Sequence, residues 1–123
     1  MTESQQARTL EEDLLARAAE DWVSAAEVID LVRRAGPSDP VVLRDLSVGL
    51  VARLLVQGLV LAGDVGDVGH TPWEGGSAKA IERIVTTWAS AQDPFVMPGE
   101  IFWLDTTPEG QRAGELVWAR EES

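Results

Sequence analysis

The sequence predicts a mainly helical α+β fold with a small two-stranded antiparallel sheet. Three observations carry that expectation. Apolar residues recur at three- and four-residue spacing through most of the chain, and capping residues punctuate the runs. Only Leu59–Ala62 and Ile101–Leu104 have the length and flanking turn residues of strands.

The elements follow in order. Leu10, Leu14, Leu15 and Ala18 fit one helical face, with Glu11, Glu12 and Asp13 in the first turn, where acids suit the helix dipole. Ser24 with Glu27 three residues on is a capping-box pattern, so a second helix starts there and ends at Gly36-Pro37. Asp39-Pro40 opens a third helix, an Asp cap followed by Pro in the first turn. Leu43, Leu46, Leu50, Leu54 and Leu55 carry its apolar repeat up to Gln57, and Gly58 stops it. After the strand Leu59–Ala62, Gly63 to Gly76 reads as a glycine-rich loop. Ser77 caps a helix over 78–91, Pro94 to Gly99 forms a loop, and Ile101–Leu104 supplies the second strand. Thr107-Pro108-Glu109 opens a last helix over about 108–119. This gives one domain over 10–119, with flexible ends at 1–9 and 120–123.

Charge narrows function. Twenty-one Asp and Glu against ten Lys and Arg give a formal net charge of -11. Residues 35–63 balance at two acids against two bases, whereas residues 64–100 carry six against two. A chain this acidic is repelled by phosphate backbones and attracted to basic surfaces. There is one His, no Cys and no Tyr, so disulfides and thiolate metal sites are excluded, and the usual nucleophiles and acid/base groups are nearly absent. The first residues show no secretory signal, and the longest apolar run is broken by Arg53, Gln57 and Gly58. A cytoplasmic, non-membrane protein is expected.

The stretches SAAEVIDLVRRAG, LSVGLVARLLVQGLVLAGDV and IFWLDTTPEGQRAGEL together resemble the winged-helix arrangement, in which a third helix and a β-hairpin pack as one unit. The likeness covers residues 10–119 as a pattern, and the helix over 78–91 departs from a simple wing. It implies DNA binding by the helix at 41–57. That helix offers only Arg44 and Arg53 as cations, and the wing carries Asp64, Asp67 and Glu74, so nucleic acid is not the expected partner.

Asp64, Asp67 and His70 stand three apart, with Glu74 nearby. Such oxygen and imidazole groups can close around a divalent metal, but the spacing is not that of an EF-hand and equally fits a solvated acidic loop; no metal or cofactor is expected. Gly63, Gly66 and Gly69 lack the Lys-Ser/Thr of a P-loop. Of five tryptophans, Trp22, Trp88, Trp103 and Trp118 lie in or beside apolar segments and are expected in the core. Trp73 has no periodic apolar neighbours; it either anchors a partner or folds back over the strands.

These features predict a non-catalytic acidic protein-binding domain. In character it resembles a small bacterial immunity or antitoxin protein that neutralises a basic toxin enzyme such as a nuclease. Asp64, Asp67, His70, Trp73 and Glu74 form its expected partner-binding set. The alternatives are a winged-helix transcriptional regulator and a homodimeric scaffold paired through its leucine-rich helices.

Overall fold

The computed structural model describes residues 7–122. Five helices and four strands follow in the order α1 (Leu10–Glu20), β1 (Val23–Ser24), α2 (Ala25–Arg33), α3 (Pro40–Val56), β2 (Val60–Gly66), β3 (Gly69–Pro72), α4 (Gly76–Ala89), β4 (Trp103–Thr106) and α5 (Pro108–Glu122). The fold is α+β, as expected. The sheet has four strands rather than two, in the order β1-β4-β2-β3, every pair antiparallel. Among the described residues, no helix is long and apolar enough to cross a membrane.

The caps explain where the helices begin. Thr9 and Glu12 form a full capping box on α1, each side chain meeting the other's backbone N–H. At α2 only half of the expected box forms. Ser24 accepts from the Glu27 N–H at 3.3 Å, while the Glu27 carboxylate turns to Arg17. Asp39 accepts from the N–H groups of Val41 and Val42, with Pro40 opening α3. Ser77 does not cap α4: the helix starts earlier, after Gly75 in a left-handed conformation with no side-chain cap.

The loop expected over 63–76 is largely sheet. β2 runs through the glycines to Gly66, turns over Asp67-Val68 and returns as β3. An apolar run marks only the buried start of β2, so composition hides the rest. Glycine is required at Gly63, because a Cβ there would lie 2.2 Å from the Thr71 carbonyl oxygen. Pro72, which lacks an N–H, ends β3 at the open edge of the sheet. The last strand lies two residues later than predicted. Ile101 takes a φ of 72°, which no extended strand accommodates, so pairing starts at Trp103 and includes Asp105 and Thr106.

One apolar core joins α1 to α4 with β1, β2 and β4, with Leu14, Val28, Val32, Leu43, Val51, Leu54, Ile84, Trp88, Phe102 and Leu104 among its buried members, and Ala113 of α5 packs against it. Trp88 meets Phe102 edge-on at 5.8 Å, and its indole N–H donates to the Pro94 carbonyl at 3.0 Å. Trp88 is the core tryptophan; Trp22, Trp103 and Trp118 are half-buried at the margins, contrary to expectation. Leu46, expected on the core face of α3, is half-exposed. Ser47 is fully buried and satisfied, its hydroxyl donating to the Leu43 carbonyl at 2.7 Å.

Helix α5 docks antiparallel on α1 and against the chain entering β2, at contact distances only glycine permits. A Cβ on Gly110 would lie 1.8 Å from the Leu59 carbonyl oxygen, and one on Gly114 would lie 2.4 Å from that of Leu15. Thr107 fixes the entry. Its hydroxyl donates to the Gly58 carbonyl at 2.7 Å and accepts from the Gly110 N–H at 3.0 Å. Trp118 and Gln111 donate to the Ala16 and Ala19 carbonyls, each at 2.9 Å. Residues 1–6 and 123, assigned to the flexible ends, lie outside the described residues. Arg8 and Thr9 engage α5 and α1 through specific contacts, and α5 continues through 120–122.

Candidate functional site

Four of the five residues singled out from the sequence lie on or at the end of the β2–β3 hairpin, Asp67 occupies its turn, and strand alternation sorts them. Asp64 pairs with Thr71, and Val65 pairs with His70. Directly paired residues share a face and successive residues alternate, so Asp64 and Thr71 project from one face and Val65 and His70 from the other. The trio Asp64, Asp67 and His70 is therefore not brought together. Among the described residues, no group of three or more His, Asp or Glu side chains is placed to hold a metal ion.

The hairpin does join Asp64 to Trp73. The Trp73 indole N–H donates to the Asp64 carboxylate at 3.1 Å, and the Trp73 backbone N–H donates to the Ala62 carbonyl at 2.9 Å. Arg83, from α4, lies with its guanidinium carbon 3.7 Å from the ring centroid. Trp73 is half-buried and packed on the core margin, so it folds back over the strand pair. Beside it a groove of about 440 Å³ is lined by Trp73, Glu74, Lys79, Glu82, Arg83 and Thr86. Arg83 is the member that sequence reading passed over. Its spacing from Trp73 crosses from a strand end to a helix, which no periodicity reveals.

His70 serves the opposite face. Its Nε2 lies 2.9 Å from the Trp103 carbonyl oxygen, which can only accept, so Nε2 carries the proton and donates. The Trp22 ring sits 6.3 Å away at a tilt of 35°. The bond ties the hairpin to the central strand β4 and leaves Thr71, the nearest hydroxyl on β3, on the other face. A hydroxyl–imidazole pair is not formed here.

Two acids of the hairpin region contrast with Glu12, Asp13 and Glu121 at the α1–α5 seam. Among the described residues neither Asp67 nor Glu74 forms an ion pair, and both are exposed. At the α1–α5 seam, hydrogen bonding from Arg120 at 2.8 Å holds the Glu12 carboxyl below the usual carboxylate range. Arg8 does the same to Glu121 across hydrogen bonds of 2.5 and 2.6 Å, and its own pKa is pushed up by that partner. Arg8 also bonds Asp13 at 2.9 Å and lies 4.5 Å over the Trp118 ring.

A second feature is the outer face of α3. Val41, Val42, Leu46 and Val56 are exposed there, around Asp45 and Arg53. Apolar residues lie on all sides of α3, so its sequence alone does not mark which side is left uncovered. No protein-family model, no curated protein and no solved structure matches this chain.

Proposed function

We propose that this chain is a non-catalytic acidic domain that binds a protein with a basic surface, in the manner of an immunity or antitoxin protein covering a basic toxin enzyme such as a nuclease. The carrying observation is the unpaired acidity of the hairpin. Asp67 and Glu74 project without ion partners from a chain of net charge -11, while Arg8, Arg17 and Arg120 are engaged by acids along α1, α2 and α5. An uncompensated acidic edge raises the encounter rate with a basic partner and rejects partners of like charge. Trp73, held by Asp64 and Arg83, is pre-ordered, which lowers the entropy lost when its ring and groove are covered.

The test replaces Asp64, Asp67 and Glu74 by Asn, Asn and Gln, with Trp73→Ala as a separate variant. Loss of the acids slows association with the partner and flattens its salt dependence. Loss of the Trp73 ring raises the dissociation rate, by about 2 kcal/mol in affinity if it is a central contact. Unchanged affinity and salt dependence in both variants contradict the reading.

Element order supports a second reading, a winged helix turned to protein binding. β1 lies between α1 and α2 and pairs with β4, which pairs in turn with β2, while β3 and α4 extend the wing. In that arrangement α3 is the helix offered to a partner, and Val41, Val42 and Leu46 on its outer face suit protein better than phosphate. A low-salt gel shift with duplex DNA at micromolar protein shows no retardation on this reading; a retarded band restores the DNA-binding regulator.

A further inference from the structure

We infer that the outer face of α3 is a self-complementary surface on which a second copy of this chain docks, with the two α3 helices antiparallel and crossing at Gly49. In an antiparallel pair centred on Gly49, a residue a given number of positions before it meets, on the other copy, the residue the same number after it. Seven positions away on either side stand Val42 and Val56, 46% and 69% exposed, so each end of the pair would close valine on valine. Four positions away stand Asp45 and Arg53, whose side chains are 66% and 67% exposed, so the pair would gain two opposite-charge contacts related by the two-fold axis. Leu46, three positions before Gly49 and 47% exposed, flanks the seam on the side of Leu50 and Arg53.

Spacing places all of these on one stripe. Val42, Leu46, Gly49, Arg53 and Val56 advance by four, three, four and three residues, the repeat that keeps a seam facing a partner helix. Gly49 marks the crossing. It has an ordinary helical conformation, and a Cβ added there would meet nothing within 4 Å, so nothing inside the monomer requires glycine at this exposed mid-helix position. Glycine in a helix interior is destabilising, and close approach of a second backbone is a reason to keep it. Beside it an open groove of about 380 Å³, lined by Leu10, Glu11, Leu46, Leu50 and Arg53, can receive Leu46 of the other copy.

The charge arrangement selects a second copy over an unrelated helix. Among the described residues, Asp45 is paired only with its sequence neighbour Arg44 at 3.2 Å, and Arg53 only with Glu11 at 3.0 Å. Both remain two-thirds exposed, and each faces the opposite sign on the other copy at the matching position. This surface is separate from the hairpin, so the inference does not depend on the basic-partner reading.

Sedimentation velocity and light scattering of the full chain test it, at about 0.15 M salt, where repulsion between two acidic copies is screened. The wild type is expected to be dimeric within the range to about 100 μM, the strength suited to a small interface. Asp45→Arg and Arg53→Asp each place like charges opposite one another and weaken association at least tenfold, while the double variant restores it by exchanging the partners. Leu46→Glu gives a monomer whose circular dichroism matches the wild type, all three side chains being exposed. A wild type monomeric at every concentration overturns the inference. So does a dimer untouched by Asp45→Arg and Leu46→Glu, or a double variant no more associated than the two single ones.

Discussion

The α1–α5 seam and the β2–β3 hairpin treat the same residue types in opposite ways. At the seam, Glu12, Asp13 and Glu121 are engaged by Arg120 and Arg8, and Gly114 lets the backbone of α5 approach that of Leu15. At the hairpin, Asp67 and Glu74 are exposed and form no ion pair among the described residues. With ten cations for twenty-one acids, only some acids can be paired, and even on α1 and α5 Glu20, Glu115 and Glu122 form no ion pair among the described residues. The lesson is that net charge says little until one knows which acids the fold has neutralised.

Substitutions break or sharpen this contrast, beginning with the largest effect. Gly110→Ala drives a methyl group into the Leu59 carbonyl and should cost about 3 kcal/mol in urea unfolding, since rigid backbone cannot yield. Gly49→Ala, the same change at an open helical position, should instead gain about 0.5–1 kcal/mol in the monomer. Trp118→Phe removes the indole donor from the Ala16 carbonyl and should cost about 1 kcal/mol.

A pH titration separates the two regions further. The Glu12 and Glu121 carboxyls are depressed in the folded chain, so their stabilising contribution is complete above the ordinary glutamate value of about 4.3 and is lost as pH falls through the lower folded value. The stability gap between wild type and an Arg8→Ala, Arg120→Ala variant should therefore close on acidification. A gap that stayed constant from neutral pH into strong acid would contradict that origin. The smallest effect belongs to the hairpin. Asp67→Asn and Glu74→Gln should leave stability within about 0.5 kcal/mol of wild type.

Much of the helical frame was legible because caps and periodicity act locally. Asp39-Pro40 and Thr107-Pro108 each mark a helix start that nearby backbone groups enforce, whereas the Thr9–Glu12 capping box on α1 was passed over because Thr9 was assigned to a flexible end. The hairpin was not legible. Its strand continues through Gly63, Asp64 and Gly66, where no apolar alternation signals extension, and its register depends on backbone contact with β3. Of the candidate set, Asp64 and Trp73 come together, whereas His70 faces away, an outcome fixed by alternation across strands that the sequence had presented as loop. Arg83 and the outer face of α3 emerged only with tertiary packing, which decides which side of an apolar helix is left uncovered.

The most direct test of the account is capture of partners from lysate of the source cells, comparing wild type with the Asp64→Asn, Asp67→Asn, Glu74→Gln variant at low salt and at about 0.15 M salt. The account predicts one basic protein held by the wild type at low salt, weakened by added salt and absent from the variant. Equal retention by the variant, or no specific protein held by the wild type at low salt, would contradict it.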